Sequence, residues 1–310
     1  MIAADLNEDG WCDLYVANDG DPNFLWLNQA GTGRFTEDGL LAGVALQHAR
    51  AAQAGMGVDA GDLDGDGDED IVVAHLTGEA NAIYVNLSQA VRGPGDRVQM
   101  QASSFPYTAF GARFFDGDLD GDLDLALVNG AVRQQLTLLA TNDPEPLRQE
   151  NQLFHNDGPA GFTETSAGAG DAWRYSAVGR GLATGDLDND GDMDLVITNN
   201  GGMPRVLLST GERANWVGLQ LRDSGASPTQ SNVVARFTLP DGSVLTRRSH
   251  TDGSYLSSSD PRIIAGLGEQ AGVVHVTLQW PDGLSESWSG LRPNRYHELQ
   301  AGTGQRTSHE

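Results

Sequence analysis

Four copies of one nine-residue, aspartate-rich pattern, each running straight into a β-branched apolar stretch, predict an all-β chain. They start at Asp5, Asp62, Asp116 and Asp186, spaced 57, 54 and 70 positions apart, a period that suits one supersecondary unit of about four short strands. After Ser209-Thr210-Gly211-Glu212 the acidic pattern stops and longer alternating strands begin. Together these features predict a partial β-propeller of about four blades, each a four-stranded antiparallel sheet, over residues 1–212. A small β domain is expected over 213–303 and a disordered tail over 304–310.

Each repeat reads alike. A small-residue strand leads into the loop, as in Gly55-Met56-Gly57-Val58 and Gly179-Arg180-Gly181-Leu182, and its glycines suit an axis where backbones approach closely. The strand after the loop is apolar: Leu14 to Ala17, Ile71 to Ala74, Leu125 to Val128 and Leu195 to Thr198. A third strand ends at asparagine in Asn23 to Asn28, Ala82 to Asn86 and Gln152 to Asn156, and a short fourth follows in Gly33 to Glu37 and Gly161 to Thr165. Ala90 to Gln101 and Thr141 to Glu150, with their glycines and prolines, read as blade-edge loops. The chain opens four residues before its first loop, where the other copies show a full preceding strand, so truncation at the N-terminus is expected.

The loops themselves have the spacing that a hard cation needs. Calcium takes six to eight oxygens at about 2.3–2.6 Å, and alternate residues of a tight loop can point theirs inward. The candidate ligands are Asp5, Asn7, Asp9, Trp11 and Asp13 in the first loop and Asp62, Asp64, Asp66, Asp68 and Asp70 in the second. In the third they are Asp116, Asp118, Asp120, Asp122 and Asp124, and in the fourth Asp186, Asp188, Asp190, Asp192 and Asp194. The seventh residue, such as Trp11 or Asp192, would contribute its backbone carbonyl, and the sixth is glycine each time, which permits a sharp turn with positive φ. An EF-hand requires a bidentate Glu at position twelve; here that position is Val16, Val73, Leu127 or Ile197, inside a strand. The ninth residue must then finish the coordination sphere. Up to four structural Ca2+ ions are expected, each between two strands.

Composition narrows the partners. The formal charge is −24, all 19 basic residues are Arg, and 20 of the 43 acidic residues lie in the four loops. No basic stripe exists to neutralise phosphates, so nucleic acid is not expected as a partner. No apolar run approaches the roughly 18 residues of a membrane span. Cys12 is a lone thiol beside a ligand position, with no disulfide framework. Met1-Ile2-Ala3-Ala4 lacks the charged start and apolar stretch of a secretory signal. Asn86-Leu87-Ser88 matches a glycosylation sequon.

The Gly-Asp-Leu-Asp-x-Asp-Gly-Asp-x-Asp loops, with Asn151 to Glu164 as third and fourth strands, resemble the FG-GAP/VCBS repeats of integrin α-like propellers. That resemblance implies that the loop joins the first two strands of a blade and binds calcium. It also implies a larger ring, usually of seven blades, so that missing blades or another chain would pair with open sheet edges. The C-terminal part is similar to the ASPIC/UnbV domain of the cartilage-acidic-protein-like family, through Asn215-Trp216-Val217, Gly253-Ser254-Tyr255-Leu256-Ser257, Asp260-Pro261-Arg262, Gly266-Leu267-Gly268 and Trp280-Pro281-Asp282-Gly283. Val234 departs from it, since the family generally has glycine before Ala-Arg.

No catalytic signature is present: no His-Glu-x-x-His, no Gly-x-Ser-x-Gly, no phosphate loop, and seven histidines without ligand spacing. The serine-rich run Ser254 to Ser259 reads as a solvated loop. The expectation is a non-enzymatic extracellular or periplasmic calcium-binding module for interaction with a protein or glycan ligand. The alternative is an enzyme, or an enzyme subunit, acting on an extracellular glycan or similar substrate at the propeller axis. It would require titratable side chains converging there.

Overall fold

The computed structural model describes residues 1–46, 51–86, 98–133, 144–211, 214–222 and 232–307. The alternation of acidic loop and apolar strand folds into four antiparallel meanders. The first holds β1 (Ile2–Ala4), β2 (Asp13–Val16), β3 (Phe24–Asn28) and β4 (Phe35–Glu37), with a short helix α1 (Gly39–Ala42) behind it. The second holds β5 (Val58–Gly61), β6 (Asp70–Val73) and β7 (Ala82–Tyr84). A helix, α2 (Val98–Ser104), then leads to the third, β8 (Ala109–Phe115), β9 (Asp124–Asn129), β10 (Gln152–Asn156) and β11 (Phe162–Glu164). The fourth holds β12 (Gly179–Gly185), β13 (Asp194–Asn199) and β14 (Arg205–Leu207).

Four strands per blade therefore hold in the first and third sheets, and three are found in the second and fourth among the described residues. The blade-edge loop expected from Ala90 to Gln101 is helical from Val98; residues 90–97, and 141–143 of the second expected loop, lie outside the described residues. Neighbouring blades touch through β1, β5, β8 and β12, the small-residue strands. A Cβ on Gly57 would overlap the Phe110 carbonyl, and one on Gly111 would lie 2.6 Å from Leu182 Cβ, so the close approach inferred from the glycines is real.

The C-terminal residues form two packed sheets. β15 (Asn215–Arg222) lies in the first, and β16 (Val233–Thr238) and β17 (Val244–Ser249) in the second. β18 (Ile263–Gly268) returns to the first; β19 (Val274–Gln279) and β20 (Ser285–Leu291) extend the second. β21 (Tyr296–Gln300) pairs in parallel with β15, and β22 (Gln305–Arg306) pairs with β20. Val217, Leu219, Phe237, Val276, Leu278 and Trp280 are part of the core between them. The tail expected from residue 304 is thus a paired strand at 305–306, and Thr307 still donates its N–H to Ser285 O; residues 308–310 lie outside the described residues. Val234 sits in regular pairing with Arg248 and Gln279, and no special turn is needed there.

The connection from β17 to β18 is only in part the solvated loop its serines suggest: Leu256 and Ser258 are exposed. It crosses the inner strands of all four blades. Asp252 accepts from Ala3 N–H at 2.7 Å, Ser254 N–H donates to Val58 O at 2.7 Å, the Tyr255 ring meets Phe110 edge-on at 4.9 Å, and Ser259 Oγ accepts from Thr184 N–H at 3.1 Å. Ser254 and Ser259 are buried. Underneath lies an ionic network. Arg113 Nη1 meets Asp59 Oδ1 at 3.0 Å and the Asp252 carbonyl at 2.7 Å. Arg248 Nε meets Glu69 Oε1 at 3.2 Å, and its Nη1 donates to Ala3 O and Asn232 Oδ1, both at 3.0 Å.

His250 closes this network, with Nδ1 3.0 Å from Asp252 Oδ1 and Nε2 3.4 Å from Arg113 Nη2. Burial, with Arg248 and Arg113 beside it, holds its pKa well below the ordinary 6.5. The unfolded chain therefore takes up a proton near pH 6.5 that the folded chain refuses, and stability present above that pH is lost as pH falls. Asp59 works in the opposite sense. Burial pushes it up to about 6 despite Arg113, so the folded state gains a proton first and recovers some stability below about pH 6. Between pH 7.5 and 5.5 the urea midpoint of His250→Gln should rise relative to that of wild type. A difference between the two proteins that does not change with pH would remove His250 as a contributor.

Candidate metal centres

Each aspartate loop joins the first two strands of its sheet, and the four share one backbone. The sixth residue has positive φ, as its glycine permits: 85° at Gly10, 97° at Gly67, 103° at Gly121 and 99° at Gly191. The fourth residue does as well, at Glu8 (57°), Gly65 (77°), Leu119 (61°) and Asn189 (62°). Only one of those four is glycine, so composition concealed this second turn. For Leu119 the conformation is costly. It is offset by burial against Trp216 and Ile264 of the C-terminal sheets.

The first-position carboxylate folds the loop around itself. Asp5 accepts from Asp9 and Gly10 N–H at 3.1 and 2.8 Å, Asp62 from Gly65 and Gly67 at 2.9 and 3.2 Å, and Asp186 from Asp190 and Gly191, both at 3.0 Å. The fifth-position carboxylates, Asp9, Asp66, Asp120 and Asp190, accept from the N–H of the seventh residues Trp11, Asp68, Asp122 and Asp192 at 2.8–3.1 Å. Asn7 and Asp118 accept likewise from the N–H two residues on.

The ninth residue has a second task that spacing does not reveal. One oxygen of Asp13, Asp70, Asp124 or Asp194 accepts the N–H of the loop's second residue: Leu6, Leu63, Gly117 or Leu187, at 2.8–3.1 Å. The other accepts the N–H that ends the third strand: Asn28, Asn86, Asn156 or Ser209, at 2.7–2.9 Å. The same asparagines tie blades together: Asn86 Nδ2 donates to Leu6 O and Asn156 Nδ2 to Leu63 O, each at 3.0 Å in the preceding loop.

Three loops bring acidic oxygens within 4.8 Å of one another: Asp62, Asp64 and Asp66; Asp116, Asp118 and Asp120; Asp186, Asp188 and Asp194. In the first loop neutral Asn7 takes the third position, and no three acidic groups converge there among the described residues. A residue that sequence order kept apart joins the third loop. His155 Nδ1 lies 3.1 Å from Asp124 Oδ1 and 3.7 Å from Asp118 Oδ2, where the other blades carry Leu27, Val85 and Leu208. The signal was available as the one polar residue at an apolar repeat position.

The electrostatics point to a missing positive charge. Burial pushes Asp13, Asp62 and Asp124 up to about 6. Burial pushes Asp116 up to about 7, against the pull of Arg247. Asp116 is 3% exposed, and its Oδ1 is buried with no hydrogen-bond partner. Unsatisfied buried carboxylate oxygens are costly, and a cation coordinated by them relieves that cost. The donor set, all oxygen apart from His155, fits a hard divalent ion.

Comparison with known proteins agrees with this organisation. Residues 5–73 and 135–197 match the family model of the FG-GAP-like repeat, and residues 230–306 match that of ASPIC and UnbV. The third loop falls between the matched segments, yet its turns and ninth-position hydrogen bonds are those of the other three. Cartilage acidic protein 1 of Mus musculus is 28% identical over 286 residues, covering 89% of this chain and 41% of that protein. The Homo sapiens protein is 28% identical over 280 residues, covering 87% and 39%. The chain thus spans about two fifths of the length of the curated relatives it matches. A solved structure of an Agrocybe aegerita lectin, described for recognition of non-reducing terminal N-acetylglucosamine, aligns with 67% of this chain and 51% of that one, at 18% identity and a TM-score of 0.33.

Proposed function

For a chain that joins FG-GAP-like repeats to an ASPIC and UnbV domain, we propose the role of a non-enzymatic extracellular module in which up to four structural calcium ions stiffen the blades that present a protein or glycan binding surface. The observation that carries the calcium reading is the convergence of three acidic side chains within 4.8 Å in each of three loops, one of them including Asp116, which has an unpartnered buried oxygen. Calcium would be held by the first, third, fifth and ninth side chains and the seventh carbonyl: Asp62, Asp64, Asp66, Asp68 and Asp70 in the second loop, and their counterparts elsewhere. It would supply charge neutralisation between two strands and no chemistry. Sites of extracellular modules bind with Kd of about 10⁻⁴–10⁻³ M.

The enzyme alternative asked for titratable groups converging at the axis. Such groups exist there: Asp59, Arg113, Arg248, His250 and Asp252. The side chains of Asp59, Arg113 and Arg248 are buried, those of His250 and Asp252 are partly exposed, and all five are paired with one another under the β17–β18 connection; the cavity beside them measures about 80 Å³, the volume of a few waters. A binding role suits the open clefts better. One of about 700 Å³ lies between the third and fourth sheets, lined by Trp173, Leu153, Leu207, His155 and Arg205. An aromatic and aliphatic wall with a few polar groups suits a sugar ring or a peptide side chain.

Calorimetric titration of EDTA-stripped protein, with thermal unfolding in parallel, tests the calcium reading. Saturable heat at three or four sites is expected. Each filled site should add roughly 0.4–1.4 kcal/mol at 1 mM calcium, and Tm should rise with free calcium. No heat and an unchanged Tm at millimolar calcium would leave the loops as turns only.

A further inference from the structure

The C-terminal sheets do not merely follow the blades in sequence; they sit on the metal loops. We propose that ion loading of the third and fourth loops and docking of the C-terminal domain are one coupled equilibrium, each favouring the other. This proposal rests on the calcium reading and deepens it.

The third loop shows the sharing most directly. Asp116 Oδ2 accepts the Gly266 N–H of β18 at 3.0 Å and lies 3.6 Å from Arg247 Nη2 of β17. Its other oxygen, Oδ1, has no hydrogen-bond partner, and the Asp116 carboxylate converges with those of Asp118 and Asp120. One carboxylate therefore serves the domain with one oxygen and leaves the other for an ion. The loop backbone is gripped as well. Leu119 O accepts Gly268 N–H at 2.8 Å, and Gly121 O accepts Arg247 Nη2 at 2.6 Å.

The fourth loop repeats the arrangement with different residues. Tyr296 Oη donates to Asp186 Oδ2 at 2.6 Å, and Arg262 donates to Asn189 Oδ1 at 2.6 Å and to the Asp186 carbonyl. Arg262 in turn covers the Tyr296 ring at 4.6 Å. Trp216 fills the space where a Cβ on Gly191 would stand. The other two loops are held through residues outside their ligand sets, Glu69 by Arg248 and Cys12 by Asn232.

Coupling follows from charge and from geometry. Docking dehydrates Asp116, and the charged form of a buried carboxylate is costly unless a countercharge is near. Arg247 supplies part of it, and an ion inside the loop supplies the rest. In the other direction, an ion fixes the turn that aims the Leu119, Gly121 and Asp186 carbonyls and the Asn189 side chain, the acceptors that the domain uses. Linkage requires the effect to be reciprocal: what calcium does for docking, docking must do for calcium affinity.

The test uses the full chain in two measurements. Hydrogen exchange with EDTA or 5 mM calcium reads the interface amides of Gly266 and Gly268 and the connection 251–260. Calorimetry compares wild type with Arg262→Ala and Tyr296→Phe; the second keeps the ring on Trp216 and removes only the hydroxyl. Calcium is expected to slow exchange at Gly266 and Gly268 at least tenfold, and both variants are expected to weaken one calcium site by about fivefold or more. The proposal requires both results, and the absence of either overturns it. Calcium heat in wild type without slowed exchange, or with unchanged affinity in the variants, overturns it while leaving the calcium reading standing. No calcium heat in wild type overturns both.

Discussion

Arg248→Ala is expected to destabilise the chain by about 3–5 kcal/mol, the cost of leaving buried carboxylates without their partner. Arg248 is buried at the junction of β17 with the first and second blades, where it meets Glu69 at 3.2 Å, Asp252 at 3.6 Å and the Ala3 carbonyl at 3.0 Å. A surface pair sets the scale. Arg148 and Glu145 are 42% and 50% exposed in their side chains, and Arg148→Ala should change stability by less than about 1 kcal/mol. Urea denaturation of the two variants decides the matter. Similar small losses would mean that the axis network is hydrated and does not hold the blades to the C-terminal sheets.

What could be read from the sequence, and what could not, divides along contact distance. The aspartate loops are contiguous and their spacing is fixed, so Asp62 to Asp70 and Asp186 to Asp194 declared the register of their turns without any structure. The strands that follow carry their own period, and the tight turns at Gly242 and Gly283 fall where Pro-Asp-Gly placed them. Contacts between distant segments left no local mark. Arg113 finds the Asp252 carbonyl 139 residues away, and Asn86 finds Leu6 80 residues away. The run Ser254 to Ser259 reads as solvated because its contacts, the Ser254 N–H on β5 and the Ser259 hydroxyl on β12, are with strands that sequence order does not place beside it. Leu119 hid a positive φ because its strain is offset by tertiary packing, and His155 seemed unrelated to any carboxylate until β10 was laid beside β9.

Trp216→Ala should cost about 3–5 kcal/mol and move the unfolding of blades and C-terminal sheets together. The indole belongs to no single domain core. It lies at 5.1 Å edge-on to Tyr296, packs with buried Leu119 of the third loop and Ile264 of β18, and occupies the space above Gly191 of the fourth loop. Its loss empties a volume bounded by both halves, and neither can collapse into it without moving an aspartate loop. If the halves were independent, the variant would split thermal unfolding into two steps and shift only the C-terminal one. If they form one cooperative unit, a single transition persists at lower temperature. Phe237→Ala provides the contrast, because Phe237 is buried wholly within the C-terminal core. Its similar cost of about 3–5 kcal/mol should leave calcium affinity of the intact fold unchanged, whereas Trp216→Ala should weaken it. A Trp216→Ala protein that binds calcium as tightly as wild type would place the indole in packing alone.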